Sequence, residues 1–303
     1  MAFSLKPWLS AFRLRTLPLA LASIFLGSFL AAARAGFRWE VLALAALTTV
    51  LLQVLSNLAN DYGDSIHGAD LVKERTGPAR AVQSGQISKA TMLRAMAVFA
   101  SLALVAGLSL LWVATTHSLP LFFTFLGLGL LAILAAVTYT AGAQPYGYAG
   151  LGDVSVLVFF GWLGVLGTYF LHVGQLDGWL LLPATSCGLF AVGVLNINNI
   201  RDLDSDRVAG KRSVPVRIGR DRAVAYHWTL LLGGIGCAVA YVAVHYSSPW
   251  QGLFLLSVPL LIHNGRSVDR LRQSPAIDGY LKQMALATLV FVITFGLGQL
   301  LGR

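Results

Sequence analysis

Charge is scarce in this chain. Lys and Arg together number 22 and Asp and Glu 13 among 303 residues, so charged side chains make up only 12%. A soluble globular domain carries about 25%, and that class is excluded. Cysteine is nearly absent: Cys187 and Cys237 lie far apart inside apolar segments, say nothing about redox compartment, and read as buried bystanders. The six histidines never pair at a ligand spacing, and His67, inside an acidic stretch, reads as a solvated loop residue. No small-residue cleavage site follows the first apolar run, so the N-terminus reads as a first span and not as a cleaved signal.

Apolar sequence fills the space that charge leaves. Hydrophobic residues account for 56% of the chain and mean hydropathy is +0.72. Stretches of about 20 apolar residues are long enough to cross a bilayer. Nine such windows occur, at 17–33, 41–58, 91–114, 119–139, 154–172, 179–198, 223–244, 250–264 and 281–301. The expected fold is therefore all-α: one polytopic domain over 1–303, with nine transmembrane helices around a central cavity. With the N-terminus in the cytoplasm, 19 of the 22 basic residues fall on the cytoplasmic side; Arg34, Arg38 and Arg303 fall opposite. This asymmetry sets the orientation and leaves the C-terminus outside. Lipid headgroups suffice as partners for the +9 net charge, so no nucleic acid is implied.

Eleven of the 13 acids share that side, although carboxylates do not obey the charge rule. They gather in two places. "NLANDYGDSIHGAD", 57–70, ends the second apolar window, and "NINNIRDLDSD", 196–206, ends the sixth. On a continuing helix Asn57, Asp61 and Asp64 share one face, and so do Asn199, Asp202 and Asp206. Stacked carboxylates at a helix C-terminus repel each other and oppose the helix dipole. A hard cation such as Mg²⁺ suits oxygen-only ligands of this kind and is typically shared with substrate phosphate. Arg75 and Arg80 follow the first cluster, Lys211 and Arg212 the second, and all four suit a phosphate. The spans carry no charge near their middles, which argues against an ion relay or transporter. An Asp-Gly pair followed by Ala-Arg is also missing, which argues against a CDP-alcohol phosphotransferase.

With these residues in place, the chain resembles the UbiA superfamily of intramembrane aromatic prenyltransferases. The resemblance rests on both acidic motifs, on "RTGPARAVQSGQIS", 75–88, and on "GKRSVPVRIG", 210–219. It implies two Mg²⁺ ions on Asp61, Asp64, Asp202 and Asp206, with Asp70 a weaker ligand because the usual spacing falls on Gly68. It further implies that Lys211 and Arg80, with Arg75, grip the diphosphate of a polyprenyl donor, and that Asn57, Asn60, Asn199 and Arg201 bind substrate. The loop 139–154 is expected to cap the pocket, Tyr139 near the reacting carbon and Asp153 near an aromatic acid acceptor. The donor tail is expected in a groove open to lipid, in a bacterial inner membrane. "NDYGD", "RTGP" and "NNIRDLDSDRVAGKRS" look most like the branch that prenylates 1,4-dihydroxy-2-naphthoate with loss of CO₂. Leu195 and Asn198 stand where the 4-hydroxybenzoate branch has Asp and Tyr.

Overall fold

The computed structural model describes residues 5–66, 81–115, 118–271 and 275–303. Asp70, Arg75 and Arg80 lie outside the described residues, as do His67 and His117. The chain runs through α1 (Leu5–Phe12), α2 (Leu17–Ala33), α3 (Trp39–Ile66), α4 (Lys89–Ala114) and α5 (Leu119–Thr138). It continues through α6 (Gly152–Val156), a π-helical stretch Leu157–Gly167, α7 (Thr168–Val173), α8 (Leu181–Arg201), α9 (Leu203–Val208) and α10 (Val214–Ile218). Last come α11 (Arg220–Val244), a 3₁₀ stretch Pro249–Ser257, α12 (Val258–Arg270) and α13 (Asp278–Leu301).

Eight helical stretches among the described residues are long and apolar enough to cross a membrane. The chain is a multi-pass membrane protein. The window expected at 250–264 differs from the rest. Its first half winds as 3₁₀ helix, Pro259 opens α12, and the C-terminal half is polar, "IHNGRSVDR". Two other expectations shift. The second helix runs on to Ile66, which carries Asn57, Asn60, Asp61 and Asp64 on helix. The sixth stops at Arg201. Asp202 sits at the junction and Asp206 belongs to α9, so the second cluster does not ride on one continuous helix. The bend has a local cause: the Ser205 hydroxyl donates to the Asp202 carbonyl at 2.9 Å, and Ser side chains that bond backbone compete with helix geometry. The amides of Asp202 and Asp206 still bond four residues back, so the register survives the bend.

Helices in lipid gain no hydrophobic drive from touching, and they associate through close packing at small residues. Gly161 and Gly188 do this between the π-helical stretch and α8; a Cβ on Gly188 would lie 3.0 Å from the Gly161 Cα. The largest apolar core joins α2, α8, α11 and α13, with Phe190, Phe254, Phe291 and Phe295 fully buried. A second joins α1, α3 and α4. α5 differs from both: none of its residues is fully buried.

Gly63, on α3 between Tyr62 and Asp64, lets the loop after α5 cross close by; a Cβ there would lie 2.3 Å from the Thr140 carbonyl oxygen. Thr140 uses this approach to donate its hydroxyl to the Ala59 carbonyl at 3.0 Å and to Asn60 Oδ1 at 2.8 Å. The obstacle is backbone and cannot rotate away. Gly63→Ala is therefore expected to destabilise the protein by about 1–3 kcal/mol, the usual scale for overpacking. Thermal unfolding of the detergent-solubilised protein checks this, and an unchanged midpoint would show that the loop is not held there.

Candidate active site

A cavity of about 440 Å³ runs between the helices. Ala45 and Asp64 of α3 both line it, and nineteen residues of helix at 1.5 Å each separate their levels by about 28 Å. Most of its wall is apolar, from α2, α4, α5 and the π-helical stretch. Hydroxyls of Ser23, Thr48, Thr49 and Thr168 are scattered along it. Its charged groups and asparagines, Arg13, Asn57, Asn60, Asp64, Asn198, Asn199 and Lys211, come from the segments around the acidic motifs, as does Tyr139.

This charged part of the site is assembled from both halves of the chain. Lys211 Nζ lies 3.1 Å from Asp206 Oδ2 and 5.9 Å from the ring centre of Tyr148. The Tyr148 hydroxyl donates to Asp64 Oδ1 at 2.7 Å, which couples the first acidic motif to the second through a loop residue. Burial pushes the Asp206 carboxyl above the ordinary carboxylate range, Lys211 opposes the shift, and Asp202 and Asp64 add to it. For Lys211 burial works downward, but Asp206 and Asp64 outweigh it and the ammonium ends above its usual value. The carboxylates thus hold Lys211 as an ammonium, and its charge limits the upward shift that burial imposes on Asp206.

The loop 139–151 is fastened over this part. The Arg212 amide donates to the Tyr148 carbonyl at 2.9 Å, and the Arg217 guanidinium reaches the Ala149 carbonyl. Gly150 takes a positive φ of 83°, and a Cβ there would strike the Arg212 carbonyl. Tyr146 donates to the Ala135 carbonyl at 3.0 Å and shares a 3.0 Å hydrogen bond with Ser155. Its ring meets Tyr139 edge-on, centroids 5.3 Å apart. The Tyr139 hydroxyl in turn lies over Gly152, where a Cβ would approach to 2.7 Å.

Several residues singled out from the sequence, Asn57 of the cavity wall among them, spend polar groups on the protein itself. Asp61 does not line the cavity; its carboxylate accepts from the amides of Ala81 at 3.0 Å and Val82 at 3.2 Å. Asn57 donates to the Phe12 carbonyl at 2.9 Å and to Thr16 at 3.0 Å, fixing the N-terminal segment against α3. Arg201 forks onto its neighbour Asp202 at 2.7 and 2.6 Å, reaches Asn198 at 2.9 Å and contacts Asp278 of α13. Arg15 also pairs with Asp278, at 3.2 Å. Asp153 accepts from Tyr226 at 3.0 Å and is not part of the cavity wall. Tyr148 was not singled out from the sequence. Its signal was there in a loop with three tyrosines in ten residues, 139, 146 and 148.

The donors suit a hard cation shared with a substrate. Among the described residues no three His, Cys, Asp or Glu side chains gather closely enough to hold a metal alone. Mg²⁺ seldom needs that: it keeps waters, takes one or two carboxylates and completes its shell with phosphate oxygens. Asn199 Oδ1 is buried with no hydrogen-bond partner on the cavity wall beside Asp64 and Lys211, and is an oxygen donor of the required kind.

A largely apolar cavity between membrane helices, with Asp64, Arg13, Lys211 and asparagine amides among its lining and with Asp206 held against Lys211 behind it, suits a molecule with a charged head and a hydrocarbon tail. Residues 20–286 match the UbiA prenyltransferase family. The chain belongs to that family and is a prenyltransferase. It is 46% identical to the 1,4-dihydroxy-2-naphthoate octaprenyltransferase of Escherichia coli (strain K12), covering 97% of this chain and 96% of that protein. In fold it is similar to the apo UbiA homolog from Aeropyrum pernix K1, with a TM-score of 0.70 at 19% identity over 94% and 97% of the two chains. It is also similar to the UbiA homolog from Archaeoglobus fulgidus bound to GPP and Mg²⁺, with a TM-score of 0.65 at 16% identity over 97% and 99%.

Tyr148→Phe removes the hydroxyl from Asp64 and leaves the ring over Lys211. A hydrogen bond to a charged group contributes about 1.5–3 kcal/mol, so kcat/KM for prenyl transfer should fall roughly tenfold or more. Tyr148→Leu should fall further. Equal rates in the two variants would show that the ring face does nothing for Lys211.

Proposed function

We propose that this prenyltransferase moves a polyprenyl group from a polyprenyl diphosphate to 1,4-dihydroxy-2-naphthoate. The carbon–oxygen bond to the diphosphate breaks and pyrophosphate leaves. A carbon–carbon bond forms at the ring position bearing the carboxylate, which departs as CO₂ and leaves demethylmenaquinol. The observation that carries the reading is the cavity itself, apolar through the membrane and ended by Asp64, Asn199 and Lys211. The acceptor is supported by the name of the Escherichia coli relative, matched over nearly both full lengths. The donor head is supported by the Archaeoglobus fulgidus homolog bound to GPP and Mg²⁺.

Asp64, Asp202 and Asp206 with the Asn199 amide oxygen would hold Mg²⁺, two ions in all, with Asp61 and Asp70 as further carboxylates of the first motif. When bound, Mg²⁺ neutralises charge that develops on the departing pyrophosphate. Lys211 adds a fixed positive charge at the same end, and such preorganised charge acts where the transition state needs it. Arg80 and Arg75 are assigned to the diphosphate on family resemblance. The fastened loop 139–151 excludes water from the allylic cation that forms as pyrophosphate departs. Tyr139 stands at the junction of polar end and apolar wall, where the aromatic acceptor must meet the donor carbon. Leu195 and Asn198 of the cavity wall face the same space. The polar end lies on the cytoplasmic side, with the N-terminus also cytoplasmic.

Product mass spectrometry tests the acceptor. Purified protein in membranes with Mg²⁺ receives octaprenyl diphosphate, 1,4-dihydroxy-2-naphthoate and 4-hydroxybenzoate together. The expected product is the prenylated naphthalenediol lacking the carboxylate. A prenylated hydroxybenzoate as main product would overturn the acceptor. In the same assay Asp64→Ala and Asp206→Ala should each lower turnover about a hundredfold or more, the scale for removing preorganised charge stabilisation. Near-normal turnover in either would remove that residue from the site.

A further inference from the structure

Glycines in the membrane helices differ in what surrounds them; Gly127 and Gly236 are open but lie off the cavity wall, and two other sets are informative. At Gly27, Gly161, Gly234 and Gly296 a Cβ would strike a neighbour at 2.9 Å or less, so packing explains the missing side chain. At Gly107, Gly129 and Gly167 packing explains nothing. A Cβ on Gly129 would meet no atom within 4 Å; one on Gly107 would meet only Thr48, at 3.8 Å; one on Gly167 would meet Leu163 at 3.8 Å and Phe125 at 4.0 Å. None of the three has a positive φ. A glycine inside a helix is less favourable than alanine, and here neither packing nor backbone geometry compensates for it.

What the three share is the cavity: all line it, from three different helical stretches. On α5 the wall residues are 125, 126, 128, 129, 130, 132, 133, 135 and 136. Between 125 and 136 only 127, 131 and 134 are left out, one face at helical spacing, and Gly129 lies opposite that face, at the centre of the side turned to the cavity. On α4 they are 103, 104, 107, 108, 110 and 111, and Gly107 is again central. The missing side chains are cavity volume.

Their depths differ. Gly129 is ten residues from Tyr139 along α5, about 15 Å. Gly167 adjoins Phe125, which is fourteen residues from Tyr139, about 21 Å. Gly107 adjoins Thr48, sixteen residues from Asp64 along α3, about 24 Å. We propose that these glycines set the reach of the tail-binding cavity in two tiers, Gly129 nearer the reaction end and Gly107 with Gly167 deeper. The inference rests on the polyprenyl donor proposed above.

Gly127 supplies the control. It lies on the same helix, a Cβ there also meets nothing within 4 Å, and it does not line the cavity. The experiment compares geranyl, geranylgeranyl and octaprenyl diphosphate as donors, reading pyrophosphate release with dihydroxynaphthoate as acceptor. Gly129→Phe is expected to lower kcat/KM at least tenfold for the two longer donors relative to geranyl diphosphate. Gly167→Phe is expected to lower it for octaprenyl diphosphate, with the shorter two less affected, and Gly127→Phe to leave the ratios unchanged. An active Gly129→Phe variant with wild-type ratios, or a Gly127→Phe variant with the same shift, overturns the assignment alone. If Gly129→Phe is inactive, Gly129→Leu replaces it, and loss with all three donors in both variants also overturns it. Wild-type protein that releases no pyrophosphate from any of the three overturns the donor reading itself.

Discussion

The contact of Lys211 with Asp206 holds the two ends of this site together. Asp206 comes from the end of the α8–α9 bend, and Asp64 from the end of α3, four spans earlier in the chain. Like charges gathered at the edge of a low-dielectric region repel strongly, and burial further disfavours each carboxylate. A lysine against Asp206 offsets part of both, and Tyr148 braces the arrangement by giving its hydroxyl to Asp64 and its ring face to Lys211. The rest follows from that requirement. The turn from Asp206 to Lys211 closes through a backbone bond of 2.9 Å, the loop 139–151 is fastened to the residues after Lys211, and Gly63 lets that loop lie against α3.

A second ionic network stiffens the same region from the side. Asp278 at the start of α13 joins Arg15 from the N-terminal segment to Arg201 at the end of α8. Arg201 is nearly buried, with 5% of its side chain exposed. Removing one partner of such a pair leaves a buried charge uncompensated, which is strongly destabilising. First helix, sixth span and last helix are thus tied at one level, next to Asp202, and the second acidic motif is anchored to both ends of the chain.

Much of this was legible in the sequence, and the limits of that legibility are physical. Apolar windows gave the membrane class and the helices because burial in lipid leaves a pattern about twenty residues long. That Asp64 and Asn199 belong among the candidates was legible because polar groups at a helix end stand out against that background. Lys211 was legible because it trails the second acidic cluster; all three line the cavity. The shared face of Asn199, Asp202 and Asp206 rested on spacing arithmetic, and that arithmetic assumes an unbroken helix; Ser205 and the Asp202 carbonyl bend it. The occupation of Arg201 by Asp202 and Asp278, of Asp61 by the amides of Ala81 and Val82, and of Asp153 by Tyr226 depends on where distant segments pass. No local pattern encodes those meetings. Tyr148 was hidden for the opposite reason: tyrosine is ordinary at a membrane interface, and only its position between Asp64 and Lys211 separates it from Tyr139 and Tyr146.

α5 has no fully buried residue because one side faces the cavity and the other faces acyl chains. This wall is a single helix thick, so the two media on either side of it are alike. A hydrocarbon tail that moves from bilayer to cavity exchanges one oily surrounding for another and gains almost nothing from the hydrophobic effect, which requires water on one side of the transfer. Ground-state affinity must then reside in the head, where Asp64, Asn199 and Lys211 sit. The apolar wall cannot choose a tail by attraction; it chooses by shape, admitting what fits and refusing what collides.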